Sequence, residues 1–195
     1  KLVEAMTVNI EDNGGLKELF NNVNVIAIGP GIDNENRYKN LLLELINYDN
    51  KKFVIDAGAF KLVKNNKEIM NGIKERAIFT PHPGEMAKLI DKSVEYVEEN
   101  RVNVAKKFAK ENKIVVLLKG YNTIITDGEY VYINSSGNSK MASGGMGDCL
   151  TGVISALLAQ GYSTMESALI GAYVHGVAGE MASEDKYSTT ASQVI

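Results

Sequence analysis

A glycine-rich segment at residues 137–148 is the strongest candidate for chemistry in this sequence. It ends in Gly-Gly-Met-Gly-Asp and runs into an apolar stretch that predicts a helix over about residues 147–159. Glycines ahead of a helix let the backbone approach a ligand, and the free N–H groups of the first turn attract anions. Asp148, in that turn, could accept a proton from a substrate hydroxyl beside the anion. The alternative is an ordinary turn in which Asp148 is a favourable charge at a helix N-terminus.

The segment matches neither of the two commonest nucleotide-binding motifs. The P-loop order G-x-x-x-x-G-K-[ST] and the dinucleotide fingerprint G-x-G-x-x-G are both absent from the sequence. The phosphate chemistry predicted here therefore belongs to neither of those folds.

Several other polar residues stand close to apolar runs, and each has two interpretations. Asp56 ends a strand-like run and could orient a substrate or a metal. Lys119 ends another run and either contacts a ligand or only extends to solvent. His82, between two prolines, is either functional or a turn cap. We interpret His175 and Cys149 as packing residues, because apolar neighbours surround the first and no partner for a nucleophile accompanies the second.

The elements that must position these residues follow from hydrophobic periodicity. Apolar runs predict strands at residues 23–28, 53–56, 77–80 and 114–119, and helical spacing predicts helices at residues 36–47, 85–90, 93–111, 147–159 and 165–182. Asp-Gly at residues 127–128 predicts a hairpin with a two-residue turn between residues 123–126 and 130–133. Alternating strands and helices indicate an α/β layer sandwich with a mostly parallel sheet. Such sheets bind ligands at the carboxyl ends of their strands, where the candidates lie.

Composition narrows the function classes. The 195 residues are 45% hydrophobic and 23% charged, which is typical of one folded soluble domain. The net charge of −3 provides no basic field for nucleic acid. A single cysteine excludes an internal disulfide framework and a multi-cysteine zinc site. Neither a bilayer-spanning run nor a signal peptide is found, so we expect no membrane association and a cytoplasmic location.

Four motifs in order carry a resemblance to a known family. Residues 138–148 with Leu-Thr-Gly at 150–152 resemble the anion-hole motif of the ribokinase-like superfamily. The other three motifs are Ile-Gly-Pro-Gly at residues 28–31, Thr-Pro-His-Pro-Gly-Glu at residues 80–85 and Leu-Lys-Gly-Tyr-Asn-Thr at residues 118–123. Together they resemble the ADP/ATP-dependent NAD(P)H-hydrate dehydratases, from about residue 5 to the end.

The resemblance implies a fold, a reaction and its cofactors. The fold is a three-layer ribokinase-like α/β sandwich with helices on both faces of the sheet and a late β-hairpin. The reaction returns the (6S) hydrate of NADH or NADPH to NADH or NADPH. ADP or ATP phosphorylates the hydroxyl, and phosphate is then eliminated. Mg²⁺ is expected to be held mainly by phosphate oxygens and water, with no metal ligand assigned in the protein.

The resemblance also implies site residues. Asp148 matches the catalytic aspartate. The residues implied to bind the hydrated nicotinamide nucleotide are Gly29, Gly31, His82 and Asp148. Those implied to bind the adenine nucleotide are Lys119, Gly120, Tyr121, Asn122, Thr123, Gly145, Met146 and Gly147. Backbone N–H groups at residues 145–147 would stabilise charge on the transferred phosphoryl group.

The sequence departs from the family pattern at two places. In the glycine-rich loop Ser139, Lys140, Ser143 and Met146 replace Pro, Gly, Thr and Thr, although backbone donors survive these changes. Lys140 could add a phosphate contact, but a solvated loop charge is the simpler expectation. Family members also carry a strand–helix unit ahead of the position of Lys1, so we expect residues 1–195 to form a single domain that is incomplete at its N-terminus.

Two alternatives stay open beside the dehydratase. One is a ribokinase-like kinase for a small molecule such as a vitamin precursor, which residues 80–85 argue against. The other is a non-catalytic nucleotide-binding fragment. The resemblance also implies a homo-oligomer, a tetramer.

Overall fold

One sheet organises the protein. The computed structural model describes residues 5, 7–9, 12–32 and 35–195. Within these residues the strands are β1 (Val25–Ile28), β2 (Lys52–Ile55), β3 (Ala77–Phe79), β4 (Val115–Leu118), β5 (Thr123–Thr126) and β6 (Val131–Asn134), and their order in space follows the chain. β1 to β4 run parallel, and β5 and β6 add antiparallel pairs. The mostly parallel sheet with a late hairpin is confirmed.

Helices connect and flank the strands. They are α1 (Asn13–Asn22), α2 (Glu35–Leu45), α3 (Ala59–Lys64), α4 (Lys67–Gly72), α5 (Pro83–Leu89), α6 (Val94–Glu99), α7 (Arg101–Asn112), α8 (Met146–Ala159), α9 (Thr164–Ala182) and α10 (Ala191–Val194). In the described part of the chain, none of them is both long enough and apolar enough to cross a bilayer.

The strands divide their side chains between two cores. In β4, Val116 and Leu118 pack into a core that draws on α1 to α7, whereas Val115 and Leu117 pack against α8 and α9. Successive right-handed crossovers that proceed in one direction place their helices on the same face of a sheet. The helices after the hairpin then cover the opposite face. The three-layer arrangement is confirmed.

Two local expectations are wrong. Thr126 pairs with Val131, so the hairpin loop has four residues, and the Asp127 carboxylate accepts hydrogen bonds from two backbone N–H groups within it. The helix expected over residues 93–111 is two helices. Ser93 caps the first as predicted, but the side chain of Asn100 donates to the Tyr96 carbonyl and the helix ends there. Asparagine favours such local bonds over a continuing helix.

Candidate active site

The predicted site residues gather at the carboxyl edge of the sheet, which we define as the residues directly after β1 to β4: Gly29, Asp56, Thr80 and Lys119. Parallel strands end at the same edge, so residues far apart in sequence become neighbours. The Lys119 N–H donates to the Pro81 carbonyl, and the Asp56 N–H donates to the Ile28 carbonyl. The first bond joins the residues after β3 and β4, and the second joins the end of β1 to the residue after β2. The Thr80 N–H, which donates to the Ile55 carbonyl, connects these two pairs.

A buried carboxylate lies at the centre of this edge. Asp56 is 1% exposed, and its Oδ1 accepts a hydrogen bond from Lys119 Nζ at 2.9 Å. Its Oδ2 accepts from Thr151 Oγ1 of α8 at 2.9 Å. We call Asp56, Lys119 and Thr151 the Asp56 cluster. The Lys119 side chain is 20% exposed and ion-paired, so the interpretation that it only extends to solvent is wrong.

Helix α8 begins beside this cluster. Gly145 is its N-cap, has φ +82° and supplies no side-chain cap, so the first-turn N–H groups are not bonded by a side chain from that position. A Cβ at Gly147 would lie 3.2 Å from Lys119 Nζ. Met146 is buried, and Asp148 follows Gly147 in the first turn with an exposed side chain. The end of the glycine-rich loop therefore lies beside Lys119. Such proximity is expected if both belong to one site.

The C-terminal segment holds the glycine-rich loop. Ser143 Oγ donates to the Thr189 carbonyl at 2.9 Å, and the Thr189 N–H donates to the Lys140 carbonyl at 2.9 Å. The Lys140 ammonium donates to the Ser183 carbonyl at 3.1 Å. The expectation of a solvated loop charge at Lys140 is thus wrong, because the end of α9 offers a carbonyl within its reach.

The turn after β1 lies directly against Asp56. Gly29 has φ +140°, and a Cβ there would lie 1.7 Å from the Asp56 carbonyl oxygen, so only glycine fits. Gly31 has φ +71° and faces open space, since nothing lies within 4 Å of its Cβ position. Gly29 therefore allows the turn to lie against Asp56, while Gly31 leaves the outer side of the turn open.

His82 is the N-cap of α5. Its Nδ1 accepts hydrogen bonds from the N–H groups of Gly84 and Glu85, and Glu85 Oε2 accepts from the His82 N–H. The turn-cap interpretation is confirmed geometrically. The other ring nitrogen, Nε2, lies 3.5 Å from Glu85 Oε1, and the His82 side chain is 56% exposed. Glu85 Oε2 also lies 3.9 Å from Lys119 Nζ, which connects this cap to the Asp56 cluster.

The predicted nucleotide loop follows Lys119. Gly120 has φ +139°, and Asn122 has φ +54°. Thr123 Oγ1 donates to the Gly120 carbonyl, and Tyr121 is 88% exposed at the tip. Arg101 supports the loop from below, because its Nη2 donates to the carbonyls of residues 118 and 119 at 3.3 Å each.

Sequence reasoning missed the roles of Arg101, Thr151 and Glu85. Arg101 is the first residue of α7, where a cation opposes the helix dipole. That unfavourable placement is the one signal that could have drawn attention to it. Thr151 and Glu85 carried no signal apart from the motifs that contain them.

His175 and Cys149 have no part in the cluster. Burial lowers the pKa of His175, which contacts the backbone of Met146, and its Nε2 has no partner among the described residues. Burial, and to a lesser degree Asp148, raises the pKa of Cys149. A raised thiol pKa disfavours the nucleophilic thiolate, in keeping with the packing interpretation.

Acidic side chains do not form a metal cage in the described residues. No group of three or more His, Cys, Asp or Glu side chains there could hold an ion.

Comparisons with known proteins show the family of this chain. A family model described as NAD(P)H-hydrate dehydratase matches residues 1–195. The chain is 39% identical over 173 residues to the bifunctional NAD(P)H-hydrate repair enzyme of Moorella thermoacetica, covering 88% of this chain and 32% of that protein. The chain therefore spans about a third of the length of this curated relative.

Two solved structures are similar. One is a ribokinase-like superfamily protein from Enterococcus faecalis, with TM-score 0.84 and 25% identity, covering 98% of this chain and 66% of that one. The other is the ADP/ATP-dependent NAD(P)H-hydrate dehydratase of Bacillus subtilis, crystallised with ATP and Mg²⁺ and soaked with CoA, with TM-score 0.74 and 27% identity. That match covers 87% of this chain and 62% of the other. The ribokinase-like fold is thereby confirmed.

Proposed function

We propose, from the premise that this chain belongs to the NAD(P)H-hydrate dehydratase family, that the protein returns the (6S) hydrate of NADH and NADPH to NADH and NADPH at the expense of ADP or ATP. One observation carries the proposal above the others. The start of α8, which has no side-chain cap, lies beside the Lys119 ammonium at the carboxyl edge of the sheet, and Asp148 is in the first turn of that helix. That arrangement suits phosphoryl transfer to a hydroxyl.

Asp148 is the proposed catalytic residue. Its carboxylate takes the proton of the substrate hydroxyl while that oxygen attacks the terminal phosphorus of the nucleotide. The N–H groups of Gly145, Met146 and Gly147 stabilise the charge that develops on the transferred group. The carbon–oxygen bond then breaks with phosphate as the leaving group, and a proton leaves the adjacent ring carbon to restore the double bond. The nucleotide is left one phosphate shorter, so the atoms balance.

The hydrated nicotinamide nucleotide is proposed to lie on the turn after β1 and on the exposed side chain of His82. The open side of Gly31 supports this placement, because a ligand there meets backbone without a side-chain clash. The contact of Gly29 with Asp56 holds that turn close to the cluster. Asp148 then stands between the hydrate and the phosphate.

The adenine nucleotide is proposed to lie on the loop after β4. Its residues are Lys119, Gly120, Tyr121, Asn122 and Thr123. Support comes from the exposed ring of Tyr121 and from the positive φ of Gly120 and Asn122, which turns the chain sharply beneath a ligand.

Mg²⁺ fits this site as an ion carried by the nucleotide. The described carboxylates do not converge as a cage, so phosphate oxygens and water would supply most ligands, as Mg²⁺ often prefers. The ion would neutralise phosphate charge during transfer.

We also propose a homo-oligomer, a tetramer. Support comes from β6, which lies at the edge of the sheet and exposes Tyr132 and Ile133. Light scattering on the purified protein would measure its mass, and a monomer at all concentrations would contradict the proposal. A cytoplasmic location stays a prediction.

The activity test uses the complete protein with hydrated NADH, Mg²⁺ and either ADP or ATP. We expect the absorbance of NADH to recover with release of one phosphate per NADH. A folded sample that restores no NADH with either nucleotide would contradict the proposal. Accumulation of a stable phosphorylated product would instead identify the small-molecule kinase, and nucleotide binding without turnover would identify the binding fragment.

A further inference from the structure

We propose that Asp56 is a positioning residue for phosphoryl transfer. With Thr151 it fixes the Lys119 ammonium beside the first turn of α8, so that the ammonium and the helix N–H groups face the same phosphoryl group. The proposal rests on the proposed function, since it assigns further residues to the same site.

The topology makes this ion pair unusual. Asp56 follows β2 and Lys119 follows β4, and β3 lies between these two strands in the sheet. The Lys119 side chain must therefore cross the end of β3 to reach its partner. Holding a long lysine side chain in one conformation costs conformational entropy, and shielding its charge from water adds a desolvation cost. A lysine that only followed the end of the strand, with no further role, could extend into solvent without either cost.

The carboxylate of Asp56 is fixed at both oxygens. Lys119 bonds Oδ1 and Thr151 bonds Oδ2, each at 2.9 Å, and only 1% of the residue is exposed. Because both oxygens accept a bond, the carboxylate cannot rotate without losing one. It is a rigid anchor for the ammonium.

The Lys119 side chain stays partly accessible, and its ammonium lies beside the start of α8. The Lys119 side chain keeps 20% of its surface exposed, and residue 147 lacks a side chain where a Cβ would lie 3.2 Å from Nζ. Its other carboxylate neighbour, Glu85 Oε2, lies farther away at 3.9 Å. Fixed donors that need no rearrangement stabilise a phosphoryl group best. The cluster thus supplies a preset positive charge where the helix N–H groups converge.

The test is a double-mutant cycle on ADP affinity, measured by calorimetry with the complete protein. Asp56→Asn and Lys119→Met should each weaken ADP binding about ten- to hundredfold, the range for a charged hydrogen bond. The double variant should bind no more weakly than Lys119→Met, because Asp56 acts through Lys119. Additive losses, or an unchanged affinity in Asp56→Asn, would overturn the proposal.

Matched variants separate positioning from folding. Thr151→Val should weaken ADP binding by less than Asp56→Asn does, and Thr151→Ser, which keeps the hydroxyl, should restore it. Asp91→Asn breaks the ion pair between Asp91 and Lys64 on the surface and should leave ADP affinity unchanged. Lys119→Met leaves the Asp56 charge buried without its cation, and this variant could fail to fold for that reason. The double variant carries no such charge. Its ADP affinity is then compared directly with that of Asp56→Asn.

The two proposals fail in different ways. Wild-type protein that neither binds ADP nor restores NADH would contradict the proposed function. Wild-type protein that restores NADH, beside an Asp56→Asn variant with unchanged ADP affinity, would overturn only the positioning role.

Discussion

Each edge of the sheet carries cations that are largely shielded from water, but the two edges use them differently. At the amino edge, which we define as the residues directly before β1 to β4, Lys51 is 1% exposed and donates to the Val23 carbonyl. Arg76 donates there to the carbonyls of Ile46 and Gly72. At the carboxyl edge, Lys119 pairs with a carboxylate and keeps part of its surface open.

The difference supports a structural role for the amino-edge cations and the proposed functional role for Lys119. The amino-edge cations donate hydrogen bonds to backbone carbonyls that would otherwise lack partners. They therefore stabilise the ends of helices and loops. Lys119 is instead held by an anchor beside a helix start without a side-chain cap. Burial alone does not indicate a site, and the proposed role of Lys119 rests on its position beside that helix start. This contrast yields predictions that separate activity from stability.

Asp148→Asn should produce the largest change. Loss of a general base lowers kcat by about 10²- to 10⁴-fold. The free energy of unfolding should stay nearly constant, because the side chain is exposed. Recovery of NADH absorbance measures the first quantity, and denaturant unfolding the second. Asp91→Asn serves as the surface control, and an Asp148→Asn variant with wild-type kcat would remove this residue from the catalytic role.

Arg76→Met, at the amino edge, should lower stability and leave ADP binding unchanged. It leaves several carbonyls without their donor, so the free energy of unfolding should fall by about 2–4 kcal/mol. The KM for ADP should not change in the folded fraction. Lys106→Met, on the exposed side of α7, is the control. Equal stability of the two variants would show that the amino-edge cations are dispensable.

Gly147→Ala should have a smaller and selective effect. The new Cβ would lie 3.2 Å from Lys119 Nζ, and the flexible end of the lysine would shift slightly. ADP affinity should fall by about tenfold or less through misplacement of the ammonium, while stability is kept. Gly152→Ala lies on the same helix with nothing within 4 Å of its Cβ, so it should bind ADP normally. Similar affinities in both variants would contradict the proposed contact.

His175 should make stability depend on pH. Burial lowers its pKa, so between this pKa and the unfolded value of about 6.5 only the unfolded chain binds the proton. The contribution of neutral His175 to stability is complete above the pKa of the unfolded chain. It is lost as the pH falls from there through the lower pKa of the folded protein. His175→Gln should therefore show a shallower loss of stability between pH 7 and 5 than wild type. The control is His82→Gln, which changes an exposed histidine and keeps the contribution of His175. If wild type and both variants lost stability with the same slope against pH, the prediction would be refuted.

Much of the fold could be predicted because it depends on local pattern. The run at residues 114–119, which is apolar up to its terminal Lys119, contains a strand that is buried on both faces, and the end of the glycine-rich loop is the start of α8. Gly161 lies just beyond the end of that helix with φ +100°, as expected of a C-terminal cap. Two element boundaries were predicted wrongly, since one helix ends at Asn100 and the hairpin loop has four residues.

The sequence by itself determined the order of the strands and of the predicted helices, the position of the glycine-rich turn before α8 and the choice of Asp148 as the proposed base. These follow from periodicity, glycine placement and motif, which are properties of neighbouring residues. The sequence did not predict α1, α3, α4 and α10. Only the tertiary structure decided that Lys119 crosses the end of β3 to Asp56, that Thr151 also bonds Asp56 and that Arg101 supports the loop after β4. Those pairs join residues 17 to 95 positions apart. Their contact depends on how parallel strands align at one edge, which no local pattern encodes.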